Sequence, residues 1–82
     1  QIIINNTLIT TTLKEYNLLK LLTENANKVQ YRDSIFMEIW GSDFIGETRT
    51  LDIHIKELRK KLSSANSQAS IQTIRGVGYI LV

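Results

Sequence analysis

Residues 48–62, TRTLDIHIKELRKKL, decide how this chain is read. At about 100° per residue, Leu51, Ile55, Leu58 and Leu62 fall within roughly 60° of one another. That is the apolar stripe a helix turns towards a globular core. The opposite side carries Arg49, Lys56, Arg59 and Lys60, with Ile53 among them. A wholly solvated face has no use for that isoleucine. A face pressed into a DNA major groove does, because an aliphatic group meets a thymine methyl between phosphate-seeking cations. The competing reading is a surface helix laced with ion pairs, since Asp52–Lys56 and Glu57–Lys61 both stand at i,i+4. On this helix alone the two readings are level.

Upstream lies GSDFIGE, residues 41–47, a loop with two glycines and the apolar pair Phe44-Ile45. It is longer than the ~3–4-residue turn of a plain helix-turn-helix. One of the pair is expected to fold onto the core; the alternative is an exposed patch for a protein partner. Before the loop, Ile35, Phe36, Ile39 and Trp40 recur at helical spacing, which predicts a helix over residues 32–40 closed by Gly41. Arg32 in its first turn is badly placed for the helix dipole, which prefers anions there. An incoming phosphate would reward it; a solvated side chain is the simpler reading. A short extended piece at 29–31 precedes that helix. Earlier still, Thr12 and Glu15 fit a capping box that opens a helix running to about Asn25, burying Leu18, Leu19, Leu22 and Leu21. Residues 2–11, IIINNTLITT, read as a hairpin turning at Asn5-Asn6, which tolerates positive φ.

Downstream, residues 63–70 are a polar linker without periodicity. Residues 71–75 and 79–82 are strand-like about Gly76-Val77-Gly78, with Arg75 at the tip of the hairpin. No helix follows this G-x-G, so it is not a nucleotide-binding fingerprint. A glycine-rich turn carrying one arginine suits a narrow, electronegative minor groove. From the turn alone, an ordinary β-turn is the simpler reading. The order is hairpin, helix, helix, loop, basic helix, hairpin: an α+β domain, and three helices with a terminal hairpin describe a winged helix-turn-helix.

Composition narrows the function. Eighty-two residues make one domain able to bury a modest core without staples. With no cysteine there is neither a disulfide framework nor a thiol nucleophile, and one histidine, His54, leaves no basis for a metal site, a cofactor or catalysis. His54 sits at the edge of the apolar stripe, where packing or a phosphate contact is its natural use. The apolar runs fall far short of the ~20 residues a membrane span needs. No signal peptide is visible, although a chain that opens on Gln1 gives that little weight. The net charge of +2 is unevenly spread: residues 1–47 carry four basic and six acidic side chains, residues 48–82 six basic and two acidic. Positive charge thus gathers with the amphipathic helix, as in nucleic-acid binders.

The ordered set Thr12-Leu13-Lys14-Glu15, Leu18-Leu19, Ile39-Trp40-Gly41, Arg49-Thr50-Leu51-Asp52-Ile53-His54-Ile55, Leu58-Arg59-Lys60-Lys61-Leu62 and Gln72-Thr73-Ile74-Arg75-Gly76-Val77-Gly78-Tyr79 resembles the effector domain of OmpR/PhoB-type response regulators. It covers nearly the whole chain, and RTLDIHI…LRKKL with QTIRGVGY is its most specific part. The resemblance implies a winged helix-turn-helix with a four-stranded N-terminal sheet, a recognition helix at about 48–62 in the major groove, and a wing at about 71–82 in the minor groove. It implies that Arg32, Trp40, Arg49, His54, Lys56, Thr73 and Tyr79 contact the DNA backbone, that Ile53, Glu57 and Lys60 face bases, and that Arg75 enters the minor groove. The segment with Asp43, Phe44 and Ile45 resembles the one through which relatives touch RNA polymerase.

It further implies a cytoplasmic transcription regulator whose receiver domain, absent from this chain, is phosphorylated on aspartate by a histidine kinase. Such proteins bind tandem repeats of duplex DNA as dimers, so this domain alone is expected to be monomeric and to touch no membrane. The same fold also serves membrane-anchored or other one-component regulators, and winged helices that bind protein. Three residues depart from the pattern. Glu57, which either accepts from cytosine N4 or pairs with Lys61 and reads nothing, stands where some relatives place a base-reading arginine; Thr11 replaces a leucine, and Tyr31 replaces a serine whose N-cap is worth about 1 kcal/mol.

Overall fold

The computed structural model describes residues 2–41 and 49–82. Expectations for Asp43, Phe44, Ile45 and Thr48 therefore lie outside the described residues. In chain order the elements are β1 (Ile2–Ile4), β2 (Thr7–Ile9), α1 (Leu13–Glu24), β3 (Gln30–Tyr31), α2 (Arg32–Trp40), α3 (Arg49–Ser64), β4 (Ile71–Ile74) and β5 (Gly78–Leu81).

The turn between β1 and β2 has φ of 49° at Asn5 and 64° at Asn6. This is the left-handed pair that a two-residue hairpin turn requires. Ile2 pairs with Ile9 and Ile4 with Thr7, so among the described residues the N-terminal sheet has two strands and not the four that the resemblance implies. The Asn5 side chain donates to the Ala65 carbonyl at 3.2 Å, which docks the hairpin on the end of α3. The capping box of α1 is complete: the Glu15 amide donates to Thr12 Oγ1 (3.2 Å), and the Thr12 amide donates to Glu15 Oε1 (2.9 Å). Each thereby satisfies a backbone donor the helix leaves free. Leu18 and Leu22 are buried as expected, whereas Leu19 and Leu21 only flank the core. They stand about 80° to either side of the direction the two buried leucines face, too far round the helix to face inward fully.

Helix α2 spans the expected residues and starts at Tyr31 without a side-chain cap, as the loss of serine there predicts. One of its C-terminal carbonyls is served from α1: Lys14 Nζ donates to the Ile39 carbonyl at 2.8 Å and lies 5.5 Å from the Trp40 ring centre. A cation in that place suits both the helix end and the face of the indole. Helix α3 runs to Ser64, and Ala65 just beyond it is buried, so the start of the segment read as a polar linker belongs to the helix. The core is one cluster in which Leu18, Leu22, Ile35, Leu51, Ile55 and Leu58 are almost fully buried. Each contributes about 1.5–3 kcal/mol of apolar transfer. Leu62 extends the cluster along α3, and Ile71, Tyr79 and Leu81 close it from the sheet side.

The C-terminal hairpin does not stand alone. β5 is the middle strand of an antiparallel sheet ordered β3-β5-β4, with Gln30 opposite Tyr79 and Tyr31 opposite Gly78. The piece at 29–31, legible only as an extended connector, is thus the strand that joins the wing to the start of α2. The Arg32 amide extends that tie to the Val77 carbonyl at 3.1 Å. The two glycines of the turn have different jobs. Gly76 adopts a φ of 75°, whereas a Cβ at Gly78 would run into the Gln30 carbonyl. The first lies in the left-handed region that favours glycine; the second is a close approach of backbones.

Candidate nucleic-acid interface

On α3 the side chains of Arg49, Ile53, Lys56 and Lys60 share a stripe about 60° wide, set diametrically across from the buried Leu51, Ile55, Leu58 and Leu62. Arg49, Lys56 and Lys60 are exposed, and Ile53 is 56% exposed. An isoleucine is thus held out in water between cations, where it takes no part in the core. Glu57 lies beside Lys60, with 3.9 Å between carboxylate and ammonium.

Among the described residues, neither i,i+4 pair expected along α3 is made. Asp52 and Lys61 both turn off the helix to partners distant in sequence. Asp52 receives Arg32, whose Nε donates to Oδ1 at 3.2 Å and whose Nη2 donates to Oδ2, and it also accepts the hydroxyl proton of Tyr79. Lys61 donates to Glu15 Oε1, the same oxygen that receives the Thr12 amide. Arg59, read as part of the basic face, lies about 80° round from the outward stripe and reaches the wing. Its Nε donates to the Ile71 carbonyl at 2.9 Å, its Nη2 donates to Thr73 Oγ1, and its guanidinium stands 5.9 Å from the Tyr79 ring centre. The last is within cation–π range. Arg32 is therefore not simply a solvated surface residue: its charge is matched by Asp52.

These contacts set the titration of the site. Burial pushes the Asp52 carboxyl up, but Arg32 and Tyr79 outweigh it and hold the group below the ordinary aspartate range. Burial likewise raises Glu15, and the Lys61 ammonium with the Thr12 amide brings it down further than burial lifts it. Tyr79 is raised, first by burial and then by the carboxylate that accepts its proton. The bond to Asp52 raises Arg32.

His54 is half-buried, edge-on to Trp40 with ring centres 5.1 Å apart, and its Nδ1 lies 2.8 Å from the Thr50 carbonyl. A carbonyl only accepts, so the proton sits on Nδ1, and Nε2 donates to an anion only when the ring is an imidazolium. Trp40 in turn stacks on Phe36, with centres 5.0 Å apart. Beside α3, an open cleft of about 680 Å³ runs between the start of α2 and the wing. Arg32, Asp52, Thr73, Arg75 and Tyr79 line it. Arg75 is exposed in the turn of the wing, and Thr73 is exposed on β4. The structure thus gathers Arg32, Thr73, Arg75 and Tyr79 around one groove, and Ile53, Lys56 and Lys60 on the adjoining helix face. Trp40 and His54 flank α3 on its α2 side. Sequence reasoning missed Asp52, Arg59 and the Glu15–Lys61 pair as organisers, because their partners stand 12–46 residues away.

Three helices, a recognition-type α3 and a β-hairpin wing define a winged helix-turn-helix. The chain belongs to the family described as "Transcriptional regulatory protein, C terminal", whose model matches residues 6–81, the DNA-binding domains of OmpR/PhoB-type transcription regulators. It is 52% identical to the heme response regulator HssR of Staphylococcus epidermidis over 66 residues, 80% of this chain and 30% of that protein. Among solved structures it is similar to the DNA-binding domain of Bacillus subtilis CssR, with a TM-score of 0.84, 31% identity, and coverage of 95% of this chain and 84% of that one. It is also similar to the DNA-binding domain of the response regulator AdeR in complex with an intercistronic region, with a TM-score of 0.79, 33% identity, and coverage of 92% and 74%. The chain spans about a third of the length of the relatives it matches. Among the described residues, no helix is long and apolar enough to cross a membrane.

Proposed function

We propose that this domain reads a specific duplex sequence by laying α3 in the major groove and extending Arg75 into the adjacent minor groove. The observation that carries the reading is the outward stripe of Arg49, Ile53, Lys56 and Lys60, opposed to the core, on the helix whose Asp52 lines the cleft that holds Arg75. Arg49, Lys56 and Thr73 take phosphates; such contacts fix register and carry no sequence information. Thr73 is well prepared for this, since Arg59 occupies its oxygen as acceptor and leaves the hydroxyl proton for a phosphate. Trp40 and His54 contact the backbone on the α2 side. Arg32 offers a phosphate only the N–H groups it does not spend on Asp52. Tyr79 is the exception among the backbone candidates: it is buried and its hydroxyl donates its hydrogen bond to Asp52, so it acts through its neighbours. Ile53 and Lys60 read bases. Glu57 accepts from cytosine N4 at a site that differs from those read by arginine at this position.

In the full-length protein, we propose, a receiver domain precedes this one and is phosphorylated on aspartate by a cognate histidine kinase. Pairing of receivers then seats two copies on tandem repeats in the cytoplasm, and the segment with Asp43, Phe44 and Ile45 meets RNA polymerase. The identity to HssR favours this arrangement over a membrane-anchored or protein-binding one.

The test is selection of preferred sites from a random duplex library, followed by fluorescence anisotropy with variants. Ile53→Ala and Lys60→Ala are expected to flatten base preference at the positions they face, whereas Arg49→Ala weakens all sequences alike. Undiminished specificity in both base-facing variants would refute the reading.

A further inference from the structure

We infer that Asp52 is a positioning residue for sequence reading: without touching DNA, it fixes the angle between recognition helix and wing so that both grooves are read in register. The inference rests on the reading of the wing as a minor-groove arm. A carboxylate beside a DNA-binding groove is otherwise a liability, because it repels phosphate. Here it stands on α3 and is held from two sides. Arg32, at the first turn of α2, forks onto both oxygens, and Tyr79, in the central strand of the wing sheet, donates its hydroxyl proton. One side chain therefore ties three elements together at the floor of the cleft.

Arg59 completes the clamp from the same flank of α3. It bonds β4 at the Ile71 carbonyl and Thr73 while its guanidinium faces the Tyr79 ring. Tyr79 is thus held at its hydroxyl by Asp52 and across its ring by Arg59, and it is 6% exposed. Arg75 hangs from the turn of this hairpin, and no hydrogen bond or ion pair among the described residues joins it to α3. Its aim depends on how firmly the hairpin is fixed below it, and the Arg32 guanidinium with the Tyr79 hydroxyl keeps the Asp52 carboxylate ionised and the clamp closed.

Asp52→Asn separates this role from two simpler ones. Asn preserves the shape, but its amide presents donors to Arg32 or Tyr79 and so breaks one arm of the clamp. A carboxylate that merely sat near DNA would, on removal, strengthen binding to all sequences equally. A residue needed only for folding would weaken specific and random duplexes together. The clamp predicts opposite signs: affinity for random duplex rises with the lost negative charge, while the ratio of selected-site to random-duplex affinity falls about tenfold, the scale of one lost base-pair preference. The loss is confined to base pairs read by the wing.

The decisive measurement repeats the comparison in an Arg75→Ala background by anisotropy on the same two duplexes. Once Arg75 is gone there is nothing left to aim, so Asp52→Asn is expected to cost no further specificity. Tyr79→Phe, which deletes one hydrogen bond and keeps the ring against Arg59, is run in parallel and is read in place of Asp52→Asn if the latter melts below assay temperature. Equal specificity losses with and without Arg75, or no loss at all, overturn the clamp alone. If Arg75→Ala by itself costs no base preference, the minor-groove reading fails and the clamp falls with it.

Discussion

Gly78→Ala tests the architecture of the wing most sharply. Gly78 stands opposite Tyr31 in β3 and Ile74 in β4, in the strand that both neighbours pair with. A Cβ built there would penetrate the Gln30 carbonyl oxygen and reach 3.0 Å from the Arg32 amide nitrogen. These are backbone atoms, so no side chain can rotate away, and β3 must separate from β5. Overpacking of this kind costs typically about 1–3 kcal/mol; contact with backbone puts Gly78→Ala at the top, about 3 kcal/mol. At roughly 4–8 °C per kcal/mol for a domain of this size, the melting midpoint is expected to fall by about 12–24 °C. Gly76→Ala supplies the control. Space at Gly76 is open, and only its φ of 75° opposes a side chain. A left-handed conformation costs a residue with a Cβ about 1–2 kcal/mol. Thermal unfolding followed by circular dichroism on both variants ranks them. If Gly78→Ala is no more destabilising than Gly76→Ala, the wing is not held to α2 through β3, and the reasoning fails.

Three further variants probe the scaffold. Thr11 Oγ1 is buried with no hydrogen-bond partner among the described residues. Thr11→Val, which removes the orphan hydroxyl at constant shape, is therefore expected to stabilise by about 1 kcal/mol in urea unfolding; a loss would mean the hydroxyl is satisfied. Tyr31 is extended, 63% exposed and caps nothing. Tyr31→Ser is accordingly expected to add up to about 1 kcal/mol by capping α2, detectable as slower amide exchange in its first turn. Glu15 and Asp52 both titrate below their ordinary values near 4.5 and 3.8. Between the lowered and ordinary values the unfolded chain binds more protons, so stability rises with pH there and is fully present above the ordinary values. The melting midpoint is expected to hold from about pH 8 to about 5.5 and to fall below about pH 4.5. Glu15→Gln is expected to start lower and fall less steeply, and an unchanged acid limb would remove Glu15 from the account.

Nearly everything with a period or a local partner was legible in the sequence. The stripe Leu51, Ile55, Leu58 and Leu62 is buried as its spacing requires, the Thr12–Glu15 capping box closes, and Asn5-Asn6 turns the hairpin, because each depends on residues at most a few positions apart. What was hidden is the choice of partner by long polar side chains. Asp52 and Lys61 each had an attractive neighbour four residues away, yet such exposed pairs are worth only about 0.3–0.5 kcal/mol. Arg32 offers Asp52 a fork of two bonds, and Glu15 offers Lys61 a buried oxygen already oriented by its cap; either outweighs a flexible surface pair. The helical period could have flagged Arg59 as well, since it lies well off the outward stripe. What that period cannot reveal is that β4 and the Tyr79 ring stand beside it.

The same redistribution changes what the basic half of the chain does electrostatically. Six cations in residues 48–82 suggest about six phosphate contacts and a slope of log K against log salt of about −5. In the folded domain Arg59 is spent on the wing and Lys61 on Glu15, and Arg32, which the family pattern would add, is matched by Asp52. Lys56, Lys60 and Arg75 remain on the DNA side, with Arg49 at the head of α3. Three or four neutralised phosphates give a slope between about −2.7 and −3.6. Binding of the isolated domain is therefore expected to resist salt better than its sequence suggests. A measured slope of about −5 would mean that Arg32 and Lys61 leave their carboxylates when DNA arrives. The clamp would then be a feature of the free protein, released on binding, and sequence reading would have to be explained without it.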